Sequence, residues 1–178
     1  MPLSTEGIRQ AERLRDRLAA TSIDHIYSSA LSRCRVTAEI IAGRHGTGVE
    51  YVPELNECDF GEAEGLTFDE INERFPSLAD ALLGDDADTR FPGGESFLEF
   101  RERVGKFIRY LDRHTGDETI VIVGHGASLQ TLICQILGAP TNLWRRFRIY
   151  RGSLSSIETY AGGATLTSLN DTHHLEGV

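Results

Sequence analysis

The chain has 178 residues and a formal net charge of −9, long enough for one domain with a real core, and no composition break divides residues 1–178. Its 18 basic side chains are all arginine except Lys106, and an acidic total with scattered arginines argues against nucleic acid or anionic membrane as a partner. No apolar run approaches a membrane span and no signal pattern opens the chain. Cys34, Cys58 and Cys134 lack disulfide or zinc spacing. The expectation is a soluble cytoplasmic protein.

In chain order, Ser4-Thr5-Glu6 reads as a helix cap with an acidic first turn, and Ile8, Ala11, Leu14 and Leu18 carry the apolar stripe to about Ala20. His25-Ile26-Tyr27-Ser28 is a short strand. It passes through Ser28-Ser29 into a second helix with Leu31, Cys34, Ala38 and Ile41 on one face. Arg33 falls in that helix's first turn, just past a strand end. A guanidinium fork there suits a phosphate, although the spacing alone also fits a surface arginine. Gly43-Arg44-His45-Gly46 contains Arg-His-Gly, but at a helix end. Gly46 reads as the C-cap and His45 as a basic residue near the helix's negative pole.

Glu50 to Leu55 reads as a second strand. Glu57, Asp59, Glu62 and Glu64 then crowd a glycine-flanked loop. One of them could serve as a general acid, and spacing does not choose between that and a solvated acidic loop. Phe68 to Phe75 and Leu78 to Leu83 are short helices. Gly84 to Arg90 is an acidic loop, and Pro92-Gly93-Gly94-Glu95-Ser96 a turn. Phe97, Phe100, Val104, Phe107, Ile108 and Leu111 mark one long helix.

Thr119-Ile120-Val121-Ile122-Val123 is five β-branched residues in a row, the pattern of a strand buried on both faces in a parallel sheet. Gly124-His125-Gly126 turns it into an apolar helix over Leu129 to Leu137. A polar residue there lies at the sheet's carboxyl edge, where open α/β folds bind ligands, and beside a helix N-terminus that favours an anion. Alone, a turn histidine is more often structural. A short helix over Leu143 to Phe147 follows, then strands Ser153 to Tyr160 and Ala164 to Leu169 around Ala161-Gly162-Gly163. The tail Asn170 to Val178 reads as polar and loosely held, with His173 and His174 on the surface. The fold class is α/β: a three-layer sandwich with a mostly parallel central sheet and helices on both faces.

Several pieces fall in a familiar order: Pro2-Leu3-Ser4-Thr5-Glu6-Gly7, Tyr27-Ser28-Ser29-Ala30-Leu31-Ser32-Arg33-Cys34-Arg35-Val36-Thr37-Ala38-Glu39, Leu55-Asn56-Glu57-Cys58-Asp59-Phe60-Gly61, Pro92-Gly93-Gly94-Glu95-Ser96 and Gly124-His125-Gly126. Together they resemble the histidine phosphatase superfamily, the phosphoglycerate-mutase-like family whose branches include α-ribazole phosphatases and broad phosphomonoesterases. The resemblance implies two-step phosphoryl transfer through a phosphohistidine on a small phosphorylated metabolite, with no cofactor and no metal. It implies that Arg33 grips phosphate oxygens, His125 bonds the transferring group and Glu57 is the acid–base carboxylate. Such charge stabilisation is most of phosphoryl-transfer catalysis.

The resemblance also implies a nucleophilic histidine on an N-terminal strand ending Arg-His-Gly, ahead of the Pro-Leu-Ser motif. Residues 1–178 contain no such strand, and His45, at a helix end, does not replace it. The expectation is a chain nearly inactive by itself, with neighbouring strands left short of a partner. A reading frame opened late at an internal methionine is the favoured account. A truncation, or a strand donated by a second copy in a homodimer, is an alternative. A phosphatase is favoured over a mutase because Gly65 to Gly93 is short. A non-catalytic phosphate-binding remnant is the rival.

Overall fold

The computed structural model describes residues 2–84 and 89–177. Helix α1 (Thr5–Arg17) starts where Ser4 Oγ accepts from Gly7 N at 3.1 Å, as a serine cap should. Strand β1 (His25–Ser28) leads into α2 (Ser32–His45), which ends on Gly46 in the left-handed region as expected. Strand β2 (Val49–Tyr51) stops earlier than the expected Leu55. Pro53 has no N–H to offer a ladder and opens a 3-10 turn over Pro53–Leu55.

Helices α3 (Phe68–Arg74) and α4 (Pro76–Gly84) come next. Most of the expected acidic loop lies outside the described residues. The expected long helix is two, α5 (Phe97–Lys106) and α6 (Ile108–Leu111). At the break Phe107 N bonds Val104 O three residues back, and Tyr110 N bonds Phe107 O. This tightened turn puts the fully buried Phe107 ring into the core.

Strand β3 (Ile120–Val123), helix α7 (Gly126–Ile136), a 3-10 segment Thr141–Arg146 and the antiparallel hairpin β4 (Leu154–Tyr160) and β5 (Gly163–Asp171) complete the order. The tail is not loose. Its 3-10 turn His173–Leu175 packs on α1, His174 Nε2 bonds Gly152 O at 2.8 Å, and Arg17 meets Asp171.

Three strands form a parallel sheet in the order β2-β1-β3. Its faces are covered separately. Ile26, Val121 and Val123 pack with Leu14 and Leu18 near α1 and Ala38 and Ile41 of α2. Tyr27, Ile120 and Ile122 pack with Phe100, Val104, Phe107 and Leu132 from α5, the α5–α6 turn and α7. The sequence pattern of β3 suggests full burial, yet all four of its residues are partly exposed. Among the described residues β3 pairs only with β1, and the hairpin forms a sheet of its own. Leu154 at the start of β4 packs on the α1–α2 core, so the hairpin docks beside the sheet without joining its ladder.

Two loops that carry site residues interlock through glycines. A Cβ on Gly94 would fall 2.3 Å from Asp59 O, and one on Gly61, whose φ is +51°, would fall 2.2 Å from Pro92 O. Both neighbours are backbone, which cannot swing aside. Gly94→Ala is therefore expected to destabilise the protein by about 2–3 kcal/mol. Gly116→Ala, with nothing within 4 Å of its Cβ, should fall within about 0.5 kcal/mol of the parent. Thermal melts of the two variants check this.

Candidate active site

The parallel register places Ser28 opposite Val123, so the next residues of both strands, Ser29 and the Gly124-His125 turn, meet at the sheet's carboxyl edge. His125 is the extended N-cap residue of α7, and its N–H donates to Ser128 Oγ at 3.0 Å. The side chain is only 8% exposed.

Both imidazole nitrogens are engaged. Arg33, in the first turn of α2, donates its Nε–H to His125 Nδ1 at 3.0 Å. A guanidinium only donates, so Nδ1 is the acceptor and the ring proton sits on Nε2. Nε2 donates to Ser29 Oγ at 2.8 Å, and Ser29 Oγ donates in turn to Asn56 Oδ1 at 2.8 Å. Ala30 N and Leu31 N close the turn by donating to Asn56 Oδ1 and Ser29 Oγ. Burial first, and then the positive charges of Arg33 and Arg103, push the His125 imidazolium pKa down to about 4. The ring is neutral at neutral pH.

Cys34 Sγ lies 3.4 Å from His125 Nε2 and donates to Gly124 O at 3.2 Å. Burial raises its thiol to about 11, so it packs against the ring as a neutral group.

Glu57 occupies the place where the sequence suggests an anion. Its Oε1 accepts from Ser128 N at 3.2 Å and from Cys58 N at 3.1 Å, and its Oε2 accepts from Ala127 N at 3.3 Å. The N-terminus of α7 thus holds the protein's own carboxylate. Burial raises the Glu57 pKa above the ordinary carboxylate value, against the three N–H bonds and the charge of Arg33.

Arg103, on α5, is the residue that sequence reasoning missed. It meets Glu95 bidentately, Nε to Oε1 and Nη2 to Oε2, both at 2.7 Å. Its Nη1 donates to the carbonyls of Glu54 and Asn56 at 3.0 Å, and its Nη2 to that of Glu57 at 3.1 Å. Glu95 also accepts from Asp59 N at 3.1 Å. Burial opposes the Glu95 charge, but the Arg103 and Asp59 donors hold its carboxyl below the ordinary value. The Pro-Gly-Gly-Glu-Ser turn and α5 thereby fix the backbone that presents Asn56 and Glu57.

The structure therefore brings Arg33, His125 and Glu57 together and leaves the other histidines outside. His45 ends α2, about 18 Å along the helix from Arg33. His173 is 82% exposed and pairs with Glu176, and His174 bonds Gly152. His25 and His114 meet at the opposite end of the sheet.

The family model for the histidine phosphatase superfamily (branch 1) matches residues 1–172. Probable phosphoglycerate mutase GpmB of Salmonella choleraesuis (strain SC-B67) is 34% identical over 98% of this chain and 84% of its own length. The crystal structure of an α-ribazole phosphatase from Shigella flexneri superposes with a TM-score of 0.87 at 32% identity, over 96% of this chain and 84% of that one. A phosphoserine phosphatase mutant from Entamoeba histolytica, solved with phosphoserine, superposes at 0.83 and 29% identity, over 98% and 86%. The chain belongs to the histidine phosphatase superfamily. Its relatives include phosphatases and phosphoglycerate-mutase-like proteins, as the motif order implies.

The depressed His125 pKa carries a stability consequence. Between pH 6.5 and about 4 the unfolded chain binds a proton on this residue that the folded chain refuses. Stability from this group is complete above the unfolded value and is lost as pH falls toward the folded one, by about 3 kcal/mol at pH 4. Melting temperature should fall over that window, and His125→Asn should flatten the fall relative to the parent, as read by thermal melts in matched buffers.

Proposed function

We propose that this chain is the body of a phosphomonoesterase working through a phosphohistidine, with Arg33, His125 and Glu57 as the part of its machinery carried by residues 1–178. The observation that carries the reading is their convergence at one sheet edge, with Arg33 3.0 Å from the His125 ring and Glu57 on the first N–H groups of α7. An arriving phosphate competes with His125 for Arg33. Once Arg33 turns to the phosphate oxygens, Nδ1 of the imidazole is free to take up a proton and donate it to the transferring group, while Nε2–H stays on Ser29 Oγ.

The accepting histidine is carried by an extended segment that pairs along the free edge of β3, where its end would lie beside His125. In the first step its nitrogen forms a P–N bond as the ester P–O bond breaks, and the leaving oxygen takes the proton of Glu57. In the second step water attacks phosphorus, the P–N bond breaks, and the Glu57 carboxylate takes the proton of the water. The raised pKa of Glu57 suits a group that must be an acid first. The short Gly65 to Gly93 stretch, whose described residues hold α3, α4 and their loops, favours a phosphatase over a mutase. A mutase must cover its phosphorylated intermediate against water. The substrate is a small phosphorylated metabolite.

The test compares the 178-residue chain with a version extended at its N-terminus by an apolar strand ending Arg-His-Gly, both against p-nitrophenyl phosphate. Turnover is expected only in the extended form. Turnover by the short chain that His125→Ala abolishes and His45→Ala spares would overturn the reading. In the extended form, Glu57→Gln should lower kcat on alkyl phosphates by about 100- to 10,000-fold, with a smaller loss on the better nitrophenolate leaving group. Calorimetric titration of the short chain with inorganic phosphate should show Arg33→Ala weakening binding by about 10- to 100-fold.

A further inference from the structure

At the amino-terminal end of the sheet, about 10 Å down β1 from the phosphate site, a second group of side chains converges. His25 opens β1, His114 follows α6, and Glu118 precedes β3. Each offers a ligand atom, and these atoms lie within 4.8 Å of one another, the one such group of three among the described residues. His25 Nε2 is 3.4 Å from Glu118 Oε1, and His114 Nδ1 is 3.2 Å from Glu118 Oε2. We propose that His25, His114 and Glu118 form a binding site for a divalent transition-metal ion, with zinc the best match to two imidazoles and a carboxylate.

The separations suit the ion. Ligands about 2.0–2.2 Å from a tetrahedral zinc stand about 3.3 Å apart; each imidazole meets one of the two Glu118 oxygens at about that spacing, and one ligand atom from each residue lies within 4.8 Å of the others. The second layer is also in place. His114 is 8% exposed and its Nε2 lies 2.7 Å from the Tyr27 hydroxyl. When that nitrogen carries the proton and donates to Tyr27, the lone pair of Nδ1 faces Glu118, the arrangement by which an oxygen acceptor orients a metal-bound histidine. Thr115 N steadies Glu118 through Oε2 at 2.7 Å. Two imidazole lone pairs and a carboxylate turned on one point repel one another unless a cation lies between them. Without the ion, the same contacts are satisfied if the imidazoles turn N–H groups toward Glu118 and Tyr27 donates to His114 Nε2. His25 is 43% exposed, which leaves the fourth position to water. The donors are nitrogen and oxygen only, so thiol-seeking ions are disfavoured. The ion would tie the start of β1 to the α6–β3 connection.

Thermal melts and cobalt absorption test the site on the 178-residue chain. Zinc ion at a hundredfold excess over its Kd should raise the melting temperature by roughly 5–10 °C. Cobalt ion should give weak visible ligand-field bands with no thiolate-to-cobalt charge transfer. His25→Ala and Glu118→Gln should remove both responses, while a His173→Ala, His174→Ala double variant should keep them. A parent chain that shows neither response, a response that survives in His25→Ala and Glu118→Gln, or one lost only with the tail histidines, overturns the assignment.

Discussion

Four parallel residue pairs, His25 with Ile120 through Ser28 with Val123, set the chemistry at both ends of this molecule. At the carboxyl end the register brings the Ser29 hydroxyl to the ring of His125. At the amino end it brings His25 beside Glu118, with Thr119 N and Asp24 Oδ2 joined at 2.8 Å. Strand side chains alternate, so a slip of one residue would turn Tyr27 away from Phe107 and send Ile26 into the wrong core. The β-branched stiffness of Ile120 to Val123 and the two separate apolar layers make that slip costly. Two sites of different character thus rest on one short ladder.

The second constraint is the Arg103–Glu95 pair. A bidentate guanidinium with four further carbonyls, those of Pro53, Glu54, Asn56 and Glu57, fixes a loop that has no ladder of its own between Tyr51 and α3. Glu57 can sit on the N-terminus of α7 because its backbone carbonyl is held by Arg103 on the other side. The geometry also accounts for the glycines of Pro92-Gly93-Gly94. Gly94 passes so close to Asp59 that a side chain would force apart the loops that present Glu57 and hold Arg103.

Much of this was legible in sequence where local chemistry decides. The Ser4 cap, the His25–Ser28 strand, the Gly46 stop and the turn at His125 all follow from residue type and spacing. Arg33 and Glu57 stood out only through motif order, since an arginine in a first turn and an acid in an acidic loop are ordinary by themselves. Arg103 was hidden because its partners sit from 8 to 50 positions away and only the folded turn assembles them. The break at Phe107 was hidden too, because the apolar stripe continues through it and only packing on Tyr27 and Tyr110 shows why the helix tightens. The His25, His114 and Glu118 group joins positions up to 93 residues apart through strand pairing, and no spacing rule reaches that far.

The partial burial of β3 completes the physical picture. Thr119 to Val123 is a strand composition suited to the middle of a sheet, yet among the described residues it has one ladder partner and a hairpin docked nearby without bonds to it. Parallel strands at a free edge leave a row of N–H and C=O groups that water satisfies less well than another strand would. The same edge runs toward His125, whose neutral ring has both nitrogens held, one by the Arg33 guanidinium and one by Ser29. A strand pairing there would add apolar cover to Ile120 through Val123 and bring its last residues to the one buried histidine of the site. Fold completion and site completion would then be one event. Among the described residues the edge of β3 without a ladder partner is also the edge that runs to His125.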